Sequence, residues 1–259
     1  MVRPDSDRWL VRLRAASATP GVRLICFPYA GGSPDLIRAW ADGLSAHVEL
    51  LAVRLPGKGP RLAEGPYTEW EPLIADTYAA LAPCLNEPHA FYGHSFGARL
   101  AYELAHVAGA EHGDLTRHLF VSGSRSPRHP QHRPYMHELT EDGFLDALRG
   151  MGGTPAEVLD DKVLMRLFLP TIRAEIRLAE LWGDRHGKAV NVPVTALYGQ
   201  DDPIDGREAM RDWKHFTERD CELLGTAGGH FFLETHRRPL LDVINARLED
   251  PNGEPRHYS

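Results

Sequence analysis

A serine set between two glycines, with an aspartate and a histidine far downstream, is the combination in this chain that could carry covalent chemistry. Gly93-His94-Ser95-Phe96-Gly97 follows the strand-like run His89 to Tyr92 and precedes the helix-like run Phe96 to Val107. In a sharp strand-to-helix turn the glycines relieve steric crowding, and the serine hydroxyl is held exposed at the tip. That hydroxyl is a weak nucleophile at neutral pH, so it needs an imidazole base, itself held in one tautomer by a carboxylate. The expected base is His230, in Gly228-Gly229-His230-Phe231-Phe232, where two glycines turn the backbone and the apolar residues anchor the loop. The expected acid lies after the apolar run Val194 to Tyr198, in Gly199-Gln200-Asp201-Asp202-Pro203. Asp201, Asp202 and Asp205 crowd this loop; Asp202 is the favoured acid, which gives the order Ser95, Asp202, His230. With 14 histidines in the chain, His94 is the obvious rival. It adjoins Ser95 but faces differently, so it is expected to pack or donate near the turn.

Acyl transfer also develops negative charge on a carbonyl oxygen, which backbone N–H groups must meet. One donor is expected from Phe96, directly after the nucleophile, and the other from Ala30, in the turn Pro28-Tyr29-Ala30-Gly31-Gly32-Ser33. No G-x-x-x-x-G-K-[ST] or G-x-G-x-x-G pattern supports reading that glycine turn as a phosphate site.

The elements that must position these residues read as an α/β pattern. Apolar runs at Val22 to Tyr29, Val48 to Leu55, His89 to Tyr92, His118 to Ser122, Val194 to Tyr198 and Cys221 to Leu224 alternate with helical stretches such as Trp70 to Leu85. Runs this short and apolar suit a mostly parallel sheet covered by helices on both faces, and with the serine turn the expected class is an α/β-hydrolase fold. Alternation stops between Gly123 and Pro193, so a helical insertion is expected over about 124–190, with helices Thr140 to Arg149 and Asp160 to Trp182 interrupted at Gly152, Gly153 and Pro170. Met151, Leu164, Leu167, Phe168, Ile172 and Leu178 give it an apolar stripe.

At 259 residues, one domain with an insertion is expected, spanning 1–259, with a disordered polar tail at 250–259. A net charge of -7 offers no general attraction to nucleic acid or an anionic membrane. No run is long and apolar enough to span a bilayer, and the start of the chain lacks a signal core, so a cytoplasmic monomer is expected. The cysteines, Cys26, Cys84 and Cys221, have no metal-ligand spacing, and reduced thiols are expected, with Cys26 in the core. Neither a metal nor an organic cofactor is needed for the chemistry above.

Four segments together resemble the stand-alone type II thioesterases that accompany polyketide synthases and nonribosomal peptide synthetases. They are Phe27-Pro28-Tyr29-Ala30-Gly31-Gly32-Ser33, Arg54-Leu55-Pro56-Gly57-Lys58-Gly59-Pro60-Arg61, the serine turn, and Gly228 to Phe232. The second is the narrowest signal, because serine turns are shared by esterases and lipases at large. The insertion is similar to that family's lid at Leu148 to Pro155 and Leu169 to Glu175, and Met151, Phe168 and Ile172 are its candidate substrate contacts. The chain departs from the family in Phe96, where methionine is common, and in Lys58 and Pro60, where arginine often stands beside glycine. The resemblance implies hydrolysis of an acyl group from the phosphopantetheine thiol of an acyl- or peptidyl-carrier protein. A general carboxylesterase, an acyltransferase or cyclase using the same acyl-enzyme, and a binding protein that has lost catalysis are the competing readings. Docking of an acidic carrier is expected at a local basic patch, with Arg125, Arg128 and Arg133 as its candidates.

Overall fold

The computed structural model describes residues 6–17 and 21–249. The tail expected to be disordered, 250–259, lies outside the described residues.

Seven strands form one sheet: β1 Leu10–Arg14, β2 Val22–Phe27, β3 Val48–Val53, β4 His89–His94, β5 Thr116–Ser122, β6 Val194–Gly199 and β7 Cys221–Thr226. Their spatial order is β1-β3-β2-β4-β5-β6-β7, and every neighbouring pair is parallel except β1 with β3. The central strands are apolar on both faces because each face is covered. Ile25, Phe27 and Phe91 pack into one core, whereas Leu24, Cys26, Ala90 and Tyr92, one residue out of step, pack into the other. The period of two thus divides a single apolar run between two layers. The sequence reading had no counterpart for β1. Its Leu-Val-Arg-Leu-Arg is short, charged and only half-buried, as suits an edge strand.

Helices α1 Ser6–Trp9, α2 Asp35–Arg38, α3 Trp70–Leu81 and α4 Phe96–His112 precede the insertion. Between β5 and β6 come α5 Glu141–Met151, α6 Ala156–Asp160 and α7 Lys162–Leu181. The side chain of Thr140 caps α5 by accepting from Gly143 N–H, and that of Asp161 caps α7 by accepting from Val163 and Leu164 N–H. Contrary to the sequence expectation, Pro170 does not interrupt α7: the helix runs through it, with one backbone donor fewer. The stripe also divides. Met165, Leu169, Ile172 and Ile176 join Phe144 and Leu148 in a third apolar cluster, Leu178 belongs to the main core, and Leu167 faces solvent. Helices α8 Arg207–Met210, α9 Phe232–Thr235 and α10 Arg237–Arg247 complete the chain's described part. None of the helices among the described residues is long and apolar enough to cross a membrane.

Candidate active site

Ser95 occupies the single residue between β4 and α4, with φ 54° and ψ -117°. It is the only non-glycine residue at positive φ among the described residues, a conformation that costs of order 1–3 kcal/mol and persists only where the surroundings impose it. Here they do. A Cβ at Gly93 would lie 2.2 Å from Gly97 O, and one at Gly97 would lie 2.1 Å from Phe27 O. Ser95 N–H donates to Ser122 O at 2.8 Å, which ties the turn to β5. Every flanking residue of the turn is buried, and Ser95 alone is partly exposed.

The loops after β6 and β7 lie backbone to backbone, since a Cβ at Gly199 would meet the carbonyl oxygens of Gly229 and Gly228 at 2.4 and 2.5 Å. This approach brings His230 Nδ1 to 2.8 Å from Asp202 Oδ2, both side chains being almost wholly buried. The other carboxylate oxygen of Asp202 accepts from the N–H groups of Ile204 at 2.7 Å and Asp205 at 3.2 Å. Burial pushes the Asp202 carboxyl up, but the hydrogen bond and charge of His230, with those two N–H groups, outweigh it and hold the group below the usual carboxylate range. Of the three aspartates that crowd this loop in sequence, Asp201 is exposed and Asp205 pairs with Arg99 at 2.9 Å. Only Asp202 reaches His230.

His94 lies wholly buried, with Nδ1 2.9 Å from Ser122 Oγ and its ring centroid 5.1 Å from that of His230. Burial, then the nearby His230, push its pKa well below the ordinary value, so it stays neutral and packs against His230.

Ser95 and His230 both line a cavity of about 60 Å³, together with Ala30, Met151, Ile172 and Phe231. A larger cavity of about 400 Å³ adjoins it, lined by Ala30, Arg54, Lys58, Pro155, Phe168 and Ile172 among others. Met151 therefore faces the serine cavity, Phe168 the larger one, and Ile172 and Ala30 both. In the turn of Ala30, Gly32 N–H donates to Tyr29 O at 2.8 Å and Gly31 N–H to Glu175 Oε2 at 2.7 Å. The N–H groups of Ala30 and Phe96 have no acceptor among the described residues, so both remain available to an incoming oxygen.

Arg99 escaped the sequence reading although it sits one helical turn after Ser95 and lines the same cavity. Its i+4 spacing from the serine was the available signal. Burial lowers its guanidinium to about 10, which leaves it charged at neutral pH, and it is satisfied by Asp205, Ser124 Oγ and Ala179 O. The basic patch needs a correction as well. Arg125 is buried, donating to the carbonyls of His129, Glu180 and Trp182, so it offers nothing to a docking protein. Arg128 is exposed and paired with Asp184, and Arg133 lines the serine cavity. Among the described residues no group of three or more His, Cys, Asp or Glu could hold a metal ion.

The family model of the thioesterase domain matches residues 22–248. Thioesterase PikA5 of Streptomyces venezuelae is 34% identical over 252 residues, covering 97% of this chain and 89% of that protein. The gramicidin S biosynthesis protein GrsT of Aneurinibacillus migulanus is 30% identical over 242 residues, covering 93% and 94%. Among solved structures, the type II thioesterase BorB from the borrelidin biosynthetic cluster superposes with a TM-score of 0.85 at 34% identity, over 95% of this chain and 100% of that one.

Proposed function

Since this chain belongs to the thioesterase family, we propose that it clears acyl groups from the phosphopantetheine arm of acyl- or peptidyl-carrier proteins. It is a thioesterase of the type II kind found in polyketide and nonribosomal peptide pathways. The observation that carries the reading of its centre is a strained, partly exposed serine opening on the same cavity as a histidine held by a buried carboxylate.

On this reading Ser95 Oγ attacks the thioester carbonyl while His230 takes its proton, and Asp202 keeps the imidazole oriented through Nδ1–H. Ala30 and Phe96 N–H groups receive the oxyanion. The thiol departs with the proton from His230, and water then resolves the acyl-enzyme by the same base. The helices of 124–190 form the lid over this centre, with Met151, Phe168 and Ile172 as its substrate contacts. The enzyme works as a cytoplasmic monomer without metal or organic cofactor. The test supplies an acylated carrier protein beside simple esters and identifies products. Free acid and holo-carrier, formed faster than any ester is cleaved, are expected. A transferred or cyclised acyl product, or a preference for simple esters, would overturn the hydrolytic carrier-protein reading.

A further inference from the structure

The Arg54 to Arg61 segment has no part in the mechanism above, yet it reaches the active centre through one residue of the lid helix. The Pro56-Gly57 turn places Gly57 at φ 79° and sends Lys58 inward. Three successive contacts then join α7 to the loops beneath it. A Cβ at Gly57 would lie 2.2 Å from Thr171 Oγ1, and one at Gly31, also at φ 79°, would lie 3.0 Å from Ile172 Cγ1. One helical turn from Thr171, Glu175 accepts from Gly31 N–H at 2.7 Å through Oε2 and binds Lys58 Nζ at 2.7 Å through Oε1 and 2.9 Å through Oε2. Both side chains of this ion pair are buried, at 7% and 5% exposure. A buried pair is weak evidence of stabilisation, because desolvation offsets most of the attraction and apolar replacements often serve as well. Its position suggests another use. The carboxylate grips the amide next to Ala30, whose own N–H is unengaged among the described residues.

We propose that Glu175 is a positioning residue: seated with α7, it fixes the Tyr29 to Gly31 turn so that Ala30 N–H points at the developing oxyanion, and Lys58 holds its carboxylate in place. Glu175 touches no reacting atom. It makes lid seating and oxyanion-site assembly a single event, since the contacts of Thr171, Ile172 and Glu175 form or break together with α7. This inference rests on the assignment of Ser95 and Ala30 given above.

Two double variants isolate the acceptor. Lys58→Met with Glu175→Gln removes the ion pair but keeps an oxygen for Gly31 N–H, whereas Lys58→Met with Glu175→Leu removes both. With a short acyl-thiol mimic, the first should lose about threefold in kcat, the share that Lys58 contributes by holding the side chain in place. The second should lose about 30-fold in kcat with KM changed less than about twofold, since misplacing a transition-state donor costs turnover rather than ground-state binding. An alkyl boronic acid, which becomes tetrahedral and anionic on a serine oxygen, should bind the Leu double variant more weakly by the same factor as kcat/KM falls. Equal kcat in the two doubles would overturn the proposal. Should a double variant fail to fold, Glu175→Asp replaces it: the shortened carboxylate should lower kcat about fivefold at unchanged KM, and unaltered kcat would overturn the proposal. Ser95→Ala separates the two levels. If it retains turnover, the reading of the centre fails; if it is inactive while the doubles match, only the role of Glu175 fails.

Discussion

The proposed hydrolytic centre and the proposed lid face opposite demands, and helix α7 belongs to both. That centre sits on the ends of β4, β6 and β7, where the residues flanking Ser95 are buried and glycines allow backbone to touch backbone. Helices α5 to α7, the proposed lid, have their own apolar cluster around Phe144, Leu148 and Met165, separate from the two cores that clasp the sheet. Along α7, Val163 and Leu167 are exposed near the start, whereas Leu178 and Ala179 are sealed into the main core near the end. One end is anchored and the other lightly covered. On the proposed function, the contrast teaches that burial is concentrated where geometry must be held and thinned where a substrate would pass.

The largest effects should come from the centre. Ser95→Ala should lower kcat by roughly 10⁴-fold or more while the melting temperature stays within about 2 °C, since alanine keeps the Cβ that the strained turn already accommodates. Turnover near the parent level would dismiss Ser95 as nucleophile. Asp202→Asn should cost about 10³ to 10⁴ in kcat by offering the imidazole the wrong partner, and Asp201→Asn less than about threefold. A reversed order would transfer the acid to Asp201.

The next effect distinguishes the two regions by stability. Phe91 and Phe144 are both wholly buried, one in the sheet core and one in the lid cluster. Phe91→Ala should cost about 3–5 kcal/mol of global stability. Phe144→Ala should instead leave the main unfolding transition within about 1 kcal/mol and raise hydrogen exchange across residues 141–181 by at least about tenfold. A global loss matching that of Phe91→Ala would merge lid and sheet into one cooperative unit.

Acid should weaken the fold through its buried histidines, two of them in the sheet. Burial pushes His89, at the start of β4, and His118, in β5, down to about 4 from 6.5. The unfolded chain therefore binds the protons that the folded chain refuses. Stability is intact above about pH 6.5 and falls by about 1.4 kcal/mol per pH unit for each histidine as pH drops from there to about 4. Denaturant midpoints at pH 7 and 5 measure this, and equal values would contradict it. The smallest expected effect lies at the lid's entrance. Arg128→Glu should raise KM for an acyl-carrier protein about twofold at low salt and leave a short acyl-thiol mimic unaffected, as befits an exposed charge. Equal changes on both substrates would place the damage in the pocket.

What the sequence determined by itself was local. The glycines at 93 and 97 announce a turn because any side chain there collides with backbone, and the apolar runs announce strands because both faces of the sheet are covered. The helical insertion was legible for the same reason, from the loss of strand-like runs and the 3.6-residue spacing of its apolar side chains. Tertiary structure decided the pairings that no spacing encodes. Asp201, Asp202 and Asp205 are equivalent in composition, yet only Asp202 meets His230, because Asp205 turns to Arg99 and Asp201 to solvent. Arg125 read as a surface charge until three carbonyls from two segments closed around it. Strand β1 exists through its antiparallel register with β3, and Glu175 gains its position through Gly31 and Lys58, 144 and 117 residues away in the chain. Sterics act between neighbours in sequence and can be read there, whereas the partner of a charge is set by whichever segments the fold brings within 3 Å.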